Sequence, residues 1–151
     1  MKYFFILVCI YSLLGCSTQP SEPKESMIDL MAKADSEYAA GRLGQAETMY
    51  LKVIKHNRDY TEAKLKLGNI YNRQGRLDAA AASYSEILTN DPNEARAWYN
   101  LALTRFRQAN ATLEKAQQKV DITSPYYTRL INLQKYFLDV SSGIGDEEKM
   151  P

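Results

Sequence analysis

Gly41-Arg42-Leu43 returns as Gly75-Arg76-Leu77, 34 residues further along the chain, and the echo extends beyond both triplets. Ala46 answers to Ala80, Tyr50 to Tyr84 and Ile54 to Leu88 at the same separation. A period of that length, with small residues and aromatics at fixed offsets, describes a helix-turn-helix unit. Such a unit cannot bury its apolar side alone and must stack on its neighbours. The expected fold class is therefore all-α, a series of paired helices.

The unit from Thr61 to Glu94 is the most regular. Small residues at Gly68 and Ala80 suit two helices crossing at close range, and Tyr71 and Tyr84 have the bulk to flank that crossing. Gly75 suits a left-handed position just beyond the first helix. Pro92 is expected to open the following helix, with Asp91 and Glu94 spaced as a capping box; Asp59 and Glu62 repeat that spacing one unit earlier. Leu67, Gly68, Tyr71, Ala80, Tyr84 and Pro92 together resemble the tetratricopeptide repeat (TPR) family. Lys64 and Ile87 depart from it, standing where the family prefers Trp and Ala.

The resemblance extends over roughly 27–120 and implies a right-handed superhelical stack of two to three units. The first, 27–60, fits at Leu30, Ala34, Gly41, Ala46 and Tyr50. It carries Lys33 and Glu37 at positions usually apolar, as the outer face of a terminal unit would. A degenerate third, 95–122, begins with Trp98, Leu101 and Ala102 as its packing side. Arg105 and Ala109 then replace the expected aromatic and turn glycine. Leu113, Ala116 and Val120 fit a second helix if the turn is two residues longer. Asp121 to Pro125 breaks the pattern. Apolar residues at Tyr127, Leu130, Ile131, Leu133, Phe137 and Leu138 then predict an amphipathic capping helix over about 125–140, followed by a disordered tail at 141–151.

The start of the chain has a different character. Lys2 precedes an apolar run from Tyr3 to Leu14, shorter than the roughly 20 residues a membrane-spanning helix needs. A signal peptide over 1–15 fits better than a retained span. Leu13-Leu14-Gly15-Cys16 resembles a bacterial lipobox, which implies lipidation of Cys16 after cleavage and a lasting membrane anchor. Ser17 at the next position implies the bacterial outer membrane, periplasmic face. Residues 16–26 hold two prolines and no apolar residue after the cysteine, the composition of a flexible tether. With Cys9 in the lead and Cys16 lipidated, the mature chain is expected to hold no free thiol and no disulfide.

Composition narrows the function. The formal net charge is +1, and Lys2 belongs to the lead, so the mature chain is nearly neutral. Nucleic-acid binding, which rests on clustered cations, is not expected. His56, the single histidine, reads as a solvated residue at a helix end. No nucleophile motif, phosphate loop or metal-ligand cluster appears, so neither catalysis nor a cofactor or metal is expected.

The family resemblance implies instead a concave face lined by first helices. It consists of Ile28, Met31, Asp35, Tyr38 and Ala39, then Glu62, Leu65, Asn69, Asn72 and Arg73, then Arg96, Tyr99, Leu103, Phe106 and Arg107. The expected partner groove is Tyr38, Leu65, Asn69, Asn72, Arg73, Tyr99, Leu103 and Phe106. Tyr99, Leu103 and Phe106 form a second apolar stripe on their helix, which must be buried by something. Either the C-terminal helix folds back onto it or a partner peptide does. The Lys and Asn positions that grip a terminal carboxylate in chaperone-binding repeats are not matched. Anchor and repeats together resemble pilotins and Tad-pilus assembly lipoproteins, which implies an envelope partner such as a pilus or secretin component. Scaffolding of cell-wall hydrolases, outer-membrane protein insertion and self-association are the alternatives.

Overall fold

A computed structural model describes residues 26–147, with side chains described for 26–139. The expected signal peptide, Cys16 and the expected tether up to residue 25 lie outside the described residues, as do 148–151. All elements among the described residues are helices: α1 Met27–Ala39, α2 Leu43–His56, α3 Thr61–Arg73, α4 Leu77–Asn90, α5 Ala95–Lys119 and α6 Tyr127–Glu147. Helices α1 and α2 form one antiparallel pair, α3 and α4 the next, and α5 and α6 complete the series by packing on what precedes them.

The two regular pairs follow from glycine. Gly41 and Gly75 both sit at φ 73°, a left-handed conformation that costs other residues more. Around each, the amide two places past the cap bonds back across the turn: Arg42 N–H to Glu37 C=O at 2.9 Å and Arg76 N–H to Tyr71 C=O at 2.8 Å. The reversal drives Ala46 and Ala80, both fully buried, against the partner helix. Ser26 caps α1, its hydroxyl accepting from Asp29 N–H at 3.1 Å.

Two apolar clusters result. Leu30, Ala34, Ala46, Tyr50, Val53, Ala63 and Ile70 form the first. Leu65, Leu67, Tyr71, Ala80, Tyr84, Ile87, Leu88 and Ala97 form the second. Helix α3 contributes to both, so the repeats are held in series by shared burial. Lys64, where the family prefers Trp, is also buried and donates through Nζ to Glu86 at 2.8 Å.

Several local expectations need correction. Neither capping box forms. Helix α3 starts at Thr61 without a side-chain cap, because Asn57 engages the Asp59 amide in a turn of its own at 3.1 Å. Pro92 stays in the preceding turn and α5 begins at Ala95, capped by the Glu94 carboxylate. Asp91 accepts instead from Asn93 N–H at 3.0 Å.

The third unit has no turn. Helix α5 runs unbroken for 25 residues because Ala109 replaces glycine and no proline or glycine interrupts the ladder. The Trp98, Leu101 and Ala102 side therefore has no second helix of its own. Trp98 is 54% exposed and Ala102 is exposed, while Leu101 packs at the edge of the second cluster. Ala97 and Thr104 make the buried contact instead, and Leu113 is buried further along.

The chain then breaks at Asp121, whose carboxylate accepts from the Thr123 amide and hydroxyl at 2.8 and 2.7 Å. Helix α6 begins two residues later than predicted and continues to Glu147, through the start of the predicted tail. Gly143 and Gly145 weaken a helix by about 1 kcal/mol each without the clash that proline brings.

Candidate partner-binding face

The first helices α1, α3 and α5 share one side of the stack, and the second helices reach that side through tyrosines. Tyr50 of α2 donates its hydroxyl to Asp35 of α1 at 2.6 Å. One repeat later, Tyr84 of α4 donates to Asn69 of α3 at 2.7 Å. Both rings are buried, and that burial is the main force pushing both phenols up from their ordinary range. The Asp35 carboxylate adds to the effect on Tyr50 by repelling a phenolate.

Asn72 extends this second site across to α5. Its Nδ2 donates to Tyr84 Oη at 3.2 Å and to Thr104 Oγ1 at 2.8 Å, while its Oδ1 is buried without a partner. Thr104, fully buried, donates in turn to Asn100 C=O at 2.7 Å. Three helices are thereby pinned through polar groups inside a mostly apolar contact, where each unmade bond is expensive.

The residues expected in the groove separate into two sets. Leu65 is 3% exposed and belongs to the second cluster, so it is removed from the face: it lies on the side of α3 that meets its neighbours. Asn69 and Asn72 are half-buried and tie the repeat together as described. Tyr38, Arg73, Tyr99 and Leu103 stay accessible in whole or part. The Tyr38 ring meets Tyr50 edge-on at 6.4 Å, and the Lys66 ammonium and Arg73 guanidinium stand over it at 5.3 and 5.4 Å.

The apolar stripe on α5 is divided in the same way. Phe106 is covered by Phe137 of α6, the rings stacked 4.7 Å apart at 15°. Gln117 and Gln134 bond across the same interface. Tyr99, nearly two turns before Phe106, remains 55% exposed, with Leu103 half-buried between them. The C-terminal helix thus closes one end of the stripe and leaves the other open.

Charge on this side is arranged by repeat. Glu62 of α3 accepts from Arg96 of α5 at 2.8 Å and lies 3.8 Å from Lys66. Arg96 also grips Glu94 through two nitrogens, which holds the Glu94 carboxyl below its ordinary range. His56 is exposed at the end of α2. Among the described residues no group of three metal-ligating side chains gathers, and no helix is long and apolar enough to cross a membrane.

The repeat-spaced pairing of Tyr50 with Asp35 and Tyr84 with Asn69 is not apparent from the consensus positions. Its signal was present, since both partners recur at the same spacing as the glycines. Arg42 and Arg76 also recur, yet engage different acids: Arg42 takes Glu37, and Arg76 takes Glu47 at 2.8 Å while lying over the Tyr71 ring at 4.2 Å.

No curated protein matches the chain. Residues 31–95 and again 74–118 match the family profile described as Tetratricopeptide repeat, together more than half of the chain. With two helix pairs closed by left-handed glycines and a third first-helix stacked on them, the chain belongs to the tetratricopeptide repeat family.

Proposed function

We propose that the chain is a lipid-anchored adaptor that holds a component of a bacterial envelope assembly. The repeat is one of protein–protein interaction, and proteins built from it are typically adaptors without enzymatic activity. The observation that carries the adaptor reading is the α1/α3/α5 side, where Tyr38, Arg73, Tyr99 and Leu103 remain accessible on a rigidly bonded floor. Aromatic and arginine side chains presented in this way are what interfaces use as anchors.

The anchor belongs to the proposal through Cys16 and its lipobox-like setting, which would hold the stack at the periplasmic face of the outer membrane. Similarity of build to pilotins and Tad-pilus assembly lipoproteins favours a pilus or secretin component as partner. Scaffolding of cell-wall hydrolases or of outer-membrane protein insertion is the nearest alternative. Affinity capture from detergent-solubilised membranes tests this. Recovery of one envelope protein with the wild-type chain, lost on Tyr99→Ala, supports it; recovery of no envelope protein in repeated captures counts against it. Replacement of Cys16 by Ser should abolish labelling by a fatty-acid probe.

One feature favours a second reading, self-association. Trp98 and Ala102 expose on α5 the side that α4 covers on α3, so a helix of a second copy has a place to pack. Sedimentation of the protein in detergent at rising concentration decides between a monomer and a dimer lost on Trp98→Ala.

A further inference from the structure

Lys64 and Trp98 hold equivalent positions, 34 residues apart, yet Lys64 is 3% exposed and Trp98 is 54% exposed. Lys64 meets Glu86 of α4, whereas the corresponding side of α5 has no second helix on it. The exposed indole is nevertheless fixed, since its Nε1 donates to the Pro92 carbonyl at 2.9 Å. An aromatic side chain already held in one orientation loses little freedom when something covers it.

Trp98 belongs to a stripe that recurs at alternating three- and four-residue steps along α5: Ala95, Trp98, Ala102, Arg105 and Ala109. The first four are exposed and Ala109 is half-buried. That spacing is the seam of two helices wound about each other. Its order is palindromic in chemistry about Ala102: small, aromatic, small, cationic, small. An antiparallel copy of the same helix therefore sets Trp98 against Arg105 of the other chain, and Ala95 against Ala109. A guanidinium over an indole face is favourable, and a two-fold axis makes that contact twice. A parallel copy would instead set one Arg105 against the other. Among the described residues Arg105 bonds to Gln108 at 3.0 Å and enters none of the ion pairs.

The opposite end of the stack disfavours head-to-tail addition. Helix α3 meets the preceding unit through Ala63 and Ile70, both fully buried. Their equivalents on α1 are Asp29 and Ser36, polar and exposed. A second copy arriving at α5 has no apolar outer face on its first unit to offer, whereas its own α5 is complementary.

We infer that a second copy of this chain packs antiparallel along α5, with Ala102 on the two-fold axis and each Trp98 covered by Arg105 of the other chain. The inference rests on the self-association reading and adds to it a symmetry, a register and a charged partner for Trp98. A two-fold contact uses the same side of both chains, so assembly closes at the dimer.

Sedimentation of the full-length chain in detergent, combined with cysteine cross-linking, tests this. A dimer should form and grow no larger as concentration rises. Arg105→Ala and Trp98→Ala should each raise its dissociation constant about tenfold, Arg105→Ala at unchanged melting. Mild oxidation of Ala102→Cys should join the two introduced thiols, as mapped by mass spectrometry against the parent chain under the same oxidant. Ala95→Cys and Ala109→Cys should cross-link to each other when mixed, and neither to itself. A dimer indifferent to Arg105→Ala and Trp98→Ala, or not joined through Ala102→Cys, overturns the inference while self-association stands. So does self-linking at position 95 or 109, or growth into open-ended oligomers. A monomer at every concentration overturns the inference and the self-association reading together.

Discussion

A β-carbon placed on Gly68 would lie 2.5 Å from Cε1 of Tyr84. That distance is the tightest constraint on the second repeat, because Tyr84 cannot yield freely: its hydroxyl is bonded to both Asn69 and Asn72. Gly68→Ala should therefore destabilise the fold by about 1–3 kcal/mol, the usual range for overpacking. This outweighs the gain of about 1 kcal/mol that alanine brings inside a helix. Urea denaturation of the two proteins measures the difference. Equal or greater stability in the variant would show that α3 and α4 separate more easily than the bonded tyrosine suggests. The first repeat already accommodates Ala34 at the equivalent position, so its helices must pack slightly differently around Tyr50.

Lys64 offers a second test. Its ammonium is buried and its bond to Glu86 reaches a carboxylate with 60% side-chain exposure. Removing the acid leaves a buried cation with poorer company, whereas replacing the cation by an apolar chain of similar length restores what the family normally places there. Glu86→Ala should cost about 1–3 kcal/mol. Lys64→Met should be neutral or stabilising, and the double variant should resemble Lys64→Met alone. A thermal-melt cycle with all four proteins checks this; additive losses would mean that the two residues act independently.

These two sites also show what the sequence could and could not tell. Gly41, Gly75, Gly68, Ala80 and the tyrosines reveal the fold because each answers a local steric demand that recurs at fixed spacing. Lys64 reads only as a departure from consensus, since its partner Glu86 lies on another helix and recurs nowhere. The third unit is misread for a related reason. The apolar pattern of Leu113, Ala116 and Val120 suits a separate helix and a continuous one equally well, and only the missing glycine decides. Leu65 and Tyr99 hold equivalent repeat positions, yet Leu65 is buried and Tyr99 is exposed. The difference lies in their neighbours: α3 is packed between the first pair, its own partner α4 and α5, whereas α5 has no second helix of its own and meets α6 at a different place.

Acidification should weaken the turns. Glu37 is held below its ordinary carboxyl range mainly by its hydrogen bond from Arg42, and Glu94 by its bonds from Arg96. Asp121 is lowered by the Thr123 amide and hydroxyl. A carboxylate with a depressed folded-state pKa gives stability that is whole above its unfolded pKa and lost as pH falls through the folded one. For Glu37 and Glu94 the loss therefore begins below the ordinary value of 4.5. Melting temperature should be level at neutral pH and fall in this acid range, and Arg42→Ala should flatten part of that fall. A slope unchanged in that variant would remove the Glu37 contact from the explanation.

The divided stripe on α5 gives the most direct link between packing and function. Phe106 stacks on Phe137 at 4.7 Å, whereas Tyr99 is more than half exposed. Truncating a half-buried aromatic removes packing that holds α6 in place, so Phe106→Ala should cost about 2–4 kcal/mol, at or below the range for a fully buried ring. Tyr99→Ala removes little packing and should change stability by less than about 0.5 kcal/mol. If Tyr99 is an interface anchor, the same variant should lose at least about 1 kcal/mol of partner affinity. Melting and binding measured side by side on both variants separate the roles. Destabilisation by Tyr99→Ala would place it in the fold, and unchanged binding at unchanged melting would remove it from the interface.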